Sequence, residues 1–177
     1  MRRIRFAALL ALSTSLIACS SVLRTTANAS DLAALQQIVE SFRTSIIKKD
    51  KNTFMGLFFS DKPEMITWQS VVDDPSLRRI KETRPQALKA RHRPESNFVS
   101  FIDSIVESKR SEEEQFSDVF IDTDGEVASI SFNYVYLTEG RPTNHGREKW
   151  LLVRTERGWK ITSVIYTVRL PEPASGA

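Results

Sequence analysis

From Asp31 to Lys49 the apolar residues Leu32, Leu35, Ile38, Val39, Phe42 and Ile46 recur at spacings of three and four, which predicts a helix with one buried face. Ser30 is the expected N-cap. Asp31 in the first turn and Lys48 with Lys49 in the last complement the helix dipole. Asp50 opens a second, shorter helix through Phe54, Leu57 and Phe58, and Asp61-Lys62-Pro63 ends it, since proline removes a donor and restricts the residue before it. Glu64 to Trp68 alternates and predicts a short strand. Gln69 to Ser96, punctuated by Pro75, Pro85 and Pro94, loses all period; Leu77, Ile80 and Leu88 fit a broken helix inside a polar, basic flap. Asn97 to Lys109 is helical again through Phe98, Phe101, Ile102, Ile105 and Val106.

Beyond Lys109 the period changes to two. Gln115 to Ile121 and Glu126 to Thr138 read as strands joined across Asp122-Thr-Asp-Gly125. Glu139 to Gly146 reads as a Gly/Pro/Asn loop, and Arg147 to Thr155 with Trp159 to Leu170 as a second hairpin across Glu156-Arg157-Gly158. Helices followed by hairpin-linked strands make an α+β domain over residues 31–170, its helices covering one face of a curved antiparallel sheet. On the long strand Ile130, Phe132, Tyr134 and Tyr136 share the face apolar enough to meet them. Residues 171–177 have nothing to bury and are expected to form a disordered tail.

The start of the chain changes the picture from a bare domain to an exported one. Met1-Arg-Arg-Ile-Arg5 and the apolar run Phe6 to Ala18 have the parts of a secretory signal, and the run is too short for a membrane-spanning helix. Leu16-Ile17-Ala18-Cys19 resembles the bacterial lipobox. That resemblance implies a signal peptide of residues 1–18, lipidation of Cys19, a tether over 19–30, and an outer membrane location facing the periplasm, because neither Ser20 nor Ser21 is the aspartate that marks inner-membrane retention. Ala27-Asn28-Ala29 before Ser30 also fits ordinary signal cleavage after residue 29, which would discard Cys19 and release a soluble periplasmic or secreted protein. Arg2, Arg3 and Arg5 account for the whole excess of 25 basic over 22 acidic side chains. Without them the balanced remainder argues against nucleic acid as a partner. A single cysteine excludes a disulfide framework and a cysteine-rich metal site.

The order of elements, and above all Leu151-Leu-Val-Arg-Thr-Glu-Arg-Gly-Trp-Lys-Ile161 followed by Thr162-Ser-Val-Ile-Tyr166, resembles the nuclear transport factor 2-like superfamily, which includes SnoaL-type polyketide cyclases and ketosteroid isomerase. The resemblance implies a cone: a bent sheet wrapped around helices, an apolar cavity between them, and a homodimer across the convex face. Trp68, Phe132, Tyr134, Tyr136, Trp150 and Tyr166 would line the pocket or simply fill the core.

Catalytic members of that superfamily present an acid or base to the cavity, and no helical tyrosine is available here. Asp118, Tyr134 and His145 are the candidate acid or base residues, Asp118 from its strand, His145 from the mouth of the next one. His92 and His145 stand in loops without carboxylate or cysteine neighbours at ligand spacing, so no metal and no cofactor is expected. Nucleophile-elbow, phosphate-loop and dinucleotide motifs are absent. Glu107, Glu112, Glu113 and Glu114 read as an acidic cluster able to pair with the basic flap. The expectation is a noncatalytic envelope lipoprotein that binds a small apolar ligand or an envelope protein partner; the alternative is an isomerase, dehydratase or cyclase.

Overall fold

The computed structural model describes residues 28–91 and 93–172. Cys19, its lipobox, His92 and the tail beyond Glu172 lie outside them. Helix α1 spans Ala29–Lys48 and buries Leu35, Val39, Phe42 and Ile46, the stripe that the three-four spacing marks. Its cap is Asn28 rather than Ser30: the Asn28 side chain accepts from the Ser30 N–H at 3.1 Å. Asn28 has extended backbone angles, as a cap requires, and Ser30 already lies inside the first turn. Lys49 ends α1 in the left-handed region at φ 56°, and Asp50 caps α2 (Lys51–Gly56) by accepting from the Thr53 N–H at 3.0 Å.

The stretch around Pro63 is a short 3-10 turn, Pro63–Met65, and the strand comes later, as β1 over Thr67–Val72. Proline at the first position of the turn favours helical φ there and delays the extended backbone. The flap is more regular than its sequence suggests. Asp74–Thr83 is helix α3, capped by Asp73 and with Pro75 in its first turn, and it stops just before Arg84 and Pro85. Helix α4 covers Phe98–Glu107 behind an Asn97–Ser100 capping box.

Strands β2 (Glu112–Thr123), β3 (Val127–Thr138), β4 (Arg141–Thr155) and β5 (Gly158–Val168) form an antiparallel meander in the order β5-β4-β3-β2. β1 joins the β5 edge in parallel, so the five-stranded sheet is mixed rather than wholly antiparallel. The physical reason is topological: a strand following helix α2 reaches the sheet by a crossover, and a crossover is free to deliver it parallel. The expected loop 139–146 is mostly strand. Only Glu139 and Gly140 turn, both with positive φ (53° and 70°), the signature of a two-residue hairpin matched to strand twist.

Inside the curve, α1 packs on β2, and Trp150 sits fully enclosed, 4.7 Å from the Phe42 ring and 4.8 Å edge-on from Phe132. Each such side chain contributes about 1.5–3 kcal/mol by leaving water. The core thus occupies the middle of the wrapped sheet, and the space toward the far ends of β3 and β5 is left partly open. No helix among the described residues is long and apolar enough to cross a membrane.

Candidate functional site

The opening is a cavity of about 260 Å³ between α4 and the concave face of the sheet. Trp68 from β1, Phe101 from α4, and Tyr134, Tyr136 and Tyr166 from β3 and β5 make aromatic walls. Trp68 meets Phe101 at 5.3 Å and Tyr166 edge-on at 5.8 Å, contacts that hold the walls in fixed orientation. Of the residues expected to line the pocket, Trp68, Tyr134, Tyr136 and Tyr166 do so. Phe132 and Trp150 stand behind the wall, fully buried in the core, because alternation places them deeper along their strands.

At the inner surface lie two carboxyl groups, Glu114 of β2 and Glu148 of β4, 3% and 4% exposed and in hydrogen-bonding contact with each other. Trp150 donates its indole N–H to Glu148 Oε2 at 2.7 Å. Burial drives both acids up: Glu114 well above the ordinary glutamate range, with the charge of Glu148 beside it adding to the rise, and Glu148 to about 7. Two carboxylates in contact and out of water do not both ionise. The Trp150 N–H favours the charged form of Glu148, so as pH rises through about 7 the pair passes from two protons to one, and the proton that remains rests on Glu114. A base and an acid therefore stand side by side in one low-dielectric pocket, the arrangement by which carboxyl pairs divide acid and base roles.

Tyr134 lines the cavity, while its hydroxyl is held by the scaffold. Its hydroxyl donates to the Thr167 carbonyl at 2.8 Å and lies 2.9 Å from Asn144 Oδ1. Burial raises its pKa far above the ordinary tyrosine value, so its proton is held by the scaffold. Gly146 makes this contact possible: a Cβ there would stand 1.9 Å from the Thr167 oxygen. Tyr166 is likewise pushed up, to about 12, by burial and by the charge of Glu148.

Asp118 and His145 do not reach the cavity. Asp118 has φ 54° within a bulge between Ser117 and Phe120, and its exposed carboxylate accepts from Asn133 Nδ2 at 2.7 Å on the outer face. His145 is exposed, its backbone bridged to Arg169. The acidic cluster is also corrected. Glu112 and Glu114 point inward, Glu112 accepting from Ser108 at 2.9 Å and Thr138 at 2.7 Å, so neither can pair with the flap. Among the described residues no group of three or more His, Cys, Asp or Glu is placed to hold a metal ion.

No protein-family model matches the chain, and no curated protein matches it. Solved structures do. A protein of unknown function with a cystatin-like fold from Nostoc punctiforme superposes with a TM-score of 0.55 at 13% identity, covering 83% of this chain and 96% of its own. A nuclear transport factor 2-like protein of unknown function from Pseudomonas putida superposes at 0.56 with 8% identity, covering 85% of this chain and 94% of its own. The chain has the nuclear transport factor 2-like fold. A candidate scytalone dehydratase from Novosphingobium aromaticivorans does so at 0.54 with 12% identity, covering 84% and 95%. Identities this low carry the nuclear transport factor 2-like architecture alone, and that fold hosts unrelated functions. Function has to be argued from the cavity.

Proposed function

We propose that the cavity takes up a small, largely apolar carbonyl compound and moves a proton on it, with Glu148 as base and Glu114 as acid. The observation that carries this reading is the buried Glu114–Glu148 pair facing an aromatic-walled pocket. Perturbed carboxyls of this kind cluster at functional sites. The Glu148 carboxylate takes a proton from the carbon beside the carbonyl, and the Glu114 proton goes to the oxygen that gains charge. As the carbonyl reforms, the enol oxygen returns its proton to Glu114: delivery of the first proton from Glu148 to another carbon then completes an isomerisation, whereas passage of the Glu114 proton to a departing β-hydroxyl releases water and completes a dehydration, after which the proton on Glu148 crosses to Glu114 and restores the pair. The dehydratase names carried by some structural neighbours are compatible with this chemistry. The lipobox resemblance supports a tether at Cys19, which would hold the domain at a cell-envelope membrane.

The test uses 2-tetralone in deuterated water, following loss of its C1 proton signal by NMR. Wild-type protein is expected to accelerate exchange at least 100-fold over Glu148→Gln, with a rate rising through a midpoint near pH 7; a single well-placed base contributes on that scale. Glu114→Gln, which keeps a donor toward Glu148, is expected to lose about tenfold. Equal exchange in wild type and in a folded Glu148→Gln would sink the proton-transfer reading. The aromatic lining favours a second reading, binding without turnover. Saturation-transfer contacts from tetralone in wild type and both variants, without exchange in any of them, would establish it.

A further inference from the structure

A second space opens on the other side of Trp68 and Tyr166, between helix α3 and the β1–β5 edge. Its volume is about 280 Å³. Leu77 and Ile80 of α3, with Leu170 after β5, give it an apolar floor that is only half covered. Its rim carries Arg84, Arg91 and Arg93, with Lys89 beside them, and no acidic side chain lines it. Lys89 is paired with Asp74 at 2.7 Å, whereas among the described residues no carboxylate lies within 4.0 Å of the three guanidinium groups. A rim of unpaired cations over an apolar trough is complementary to a molecule with an anionic head and a short hydrocarbon body. Guanidinium suits a carboxylate or phosphate head because it presents paired donors in one plane.

The placement is specific to this groove. The cavity on the far side of Trp68 and Tyr166 ends in carboxyl groups, so the two spaces differ in charge across one shared aromatic wall. The groove is also firmly built. The Asp73 side chain caps α3, Ser76 Oγ accepts from the Leu170 N–H at 2.8 Å, and Arg79 donates to the Pro171 carbonyl at 2.7 Å, tying the helix to the end of β5. The segment that follows is pinned to β1 where the Val72 N–H donates to the Lys89 carbonyl at 2.8 Å.

We infer that the α3 groove is a binding site for a free, single-chain anionic amphiphile, its head held by Arg84, Arg91 and Arg93. The inference is separate from the proton-transfer reading of the cavity. Titration calorimetry of the full chain with sodium decanoate, below its micellar concentration, against decanol as the neutral probe tests it. Decanoate is expected to bind at least tenfold more tightly than decanol at low salt, and the combined variant Arg84→Gln, Arg91→Gln, Arg93→Gln to reduce that preference to within twofold. These residues are exposed, so the variant keeps its core. Equal binding of the two probes, or a preference that survives the triple variant, overturns the assignment. So does binding to phosphatidylglycerol vesicles without binding to decanoate, which would make the rim a membrane contact. The preference is expected to persist in Glu148→Gln; its loss there would place decanoate in the cavity instead.

Discussion

At the residue scale the Glu114–Glu148 pair imposes a pH dependence whose sign is opposite to that of the surface carboxyls. Asp50, Asp73 and Asp124 are held below the ordinary range by hydrogen bonds from Thr53, Ser76 and Val127, so the stability they add is present above about pH 4 and lost below it. Burial instead raises Glu114 and Glu148, and the folded state keeps protons that the unfolded chain releases. Stability therefore falls as pH rises from about 4.5 through about 7. Tyr134, Tyr136 and Tyr166 flank the pair but titrate far above this window. In Glu114→Gln the amide replaces the shared proton with a permanent donor, and the decline between pH 5 and 7.5 is expected to flatten. Urea midpoints at those two pH values check it, and an equally steep decline in the variant would clear the pair of responsibility.

Elements explain which parts of the site were legible in sequence. The helical stripe of α1, the Asp50 cap and the inward face of β3 follow from period and capping chemistry alone, and the structure has them where the pattern puts them. Glu148 was also within reach, since it stands in phase with Trp150 and Leu152 on β4, all three buried. Glu114 was not. Counting twos backward from the inward Ile121 and Thr123 points Glu113 inward and Glu114 outward, and the bulge after Ser117 reverses that phase. The same bulge turns Asp118 out, although counting forward from Phe116 would aim it into the cavity. Nothing in a single sequence announces such an insertion, because Asp118 at positive φ looks like any strand residue. α3 is the regular first part of the broken helix expected through Leu77 and Ile80, and Pro75 in its first turn favours it. Asp73→Ala removes its cap, and a loss of about 1 kcal/mol is expected. The loss belongs to the groove: hydrogen exchange should quicken in residues 74–83 and at Leu170, whose N–H depends on Ser76, while α1 and α4 stay protected. Uniform quickening across the chain would show that α3 is not an independent unit.

The molecule as a whole has a direction. Asp31, in the first turn of α1, pairs with Arg154 at 3.3 Å beside Gly125, so the chain enters the domain at the β2–β3 turn, where β4 is ending. The cavity residues Tyr134, Tyr136 and Asn144 lie at the other end of β3 and β4, roughly 20–35 Å away at about 3.3 Å per strand residue. A tether from Cys19 would therefore join the domain at Asn28, at the end remote from the cavity. Acylation of one cysteine with several chains supplies about 0.8 kcal/mol per buried methylene, enough for stable attachment without a spanning helix. Two outcomes follow for Cys19→Ala. The protein is expected to move from the membrane fraction to the soluble fraction, with the diacylglyceryl mass on Cys19 absent. Tetralone exchange by the released protein should stay within twofold of the anchored form, because nothing in the cavity depends on the anchored end. A soluble wild-type chain beginning at Ser30 would remove the tether, and a large rate change on release would mean that the membrane itself completes the site.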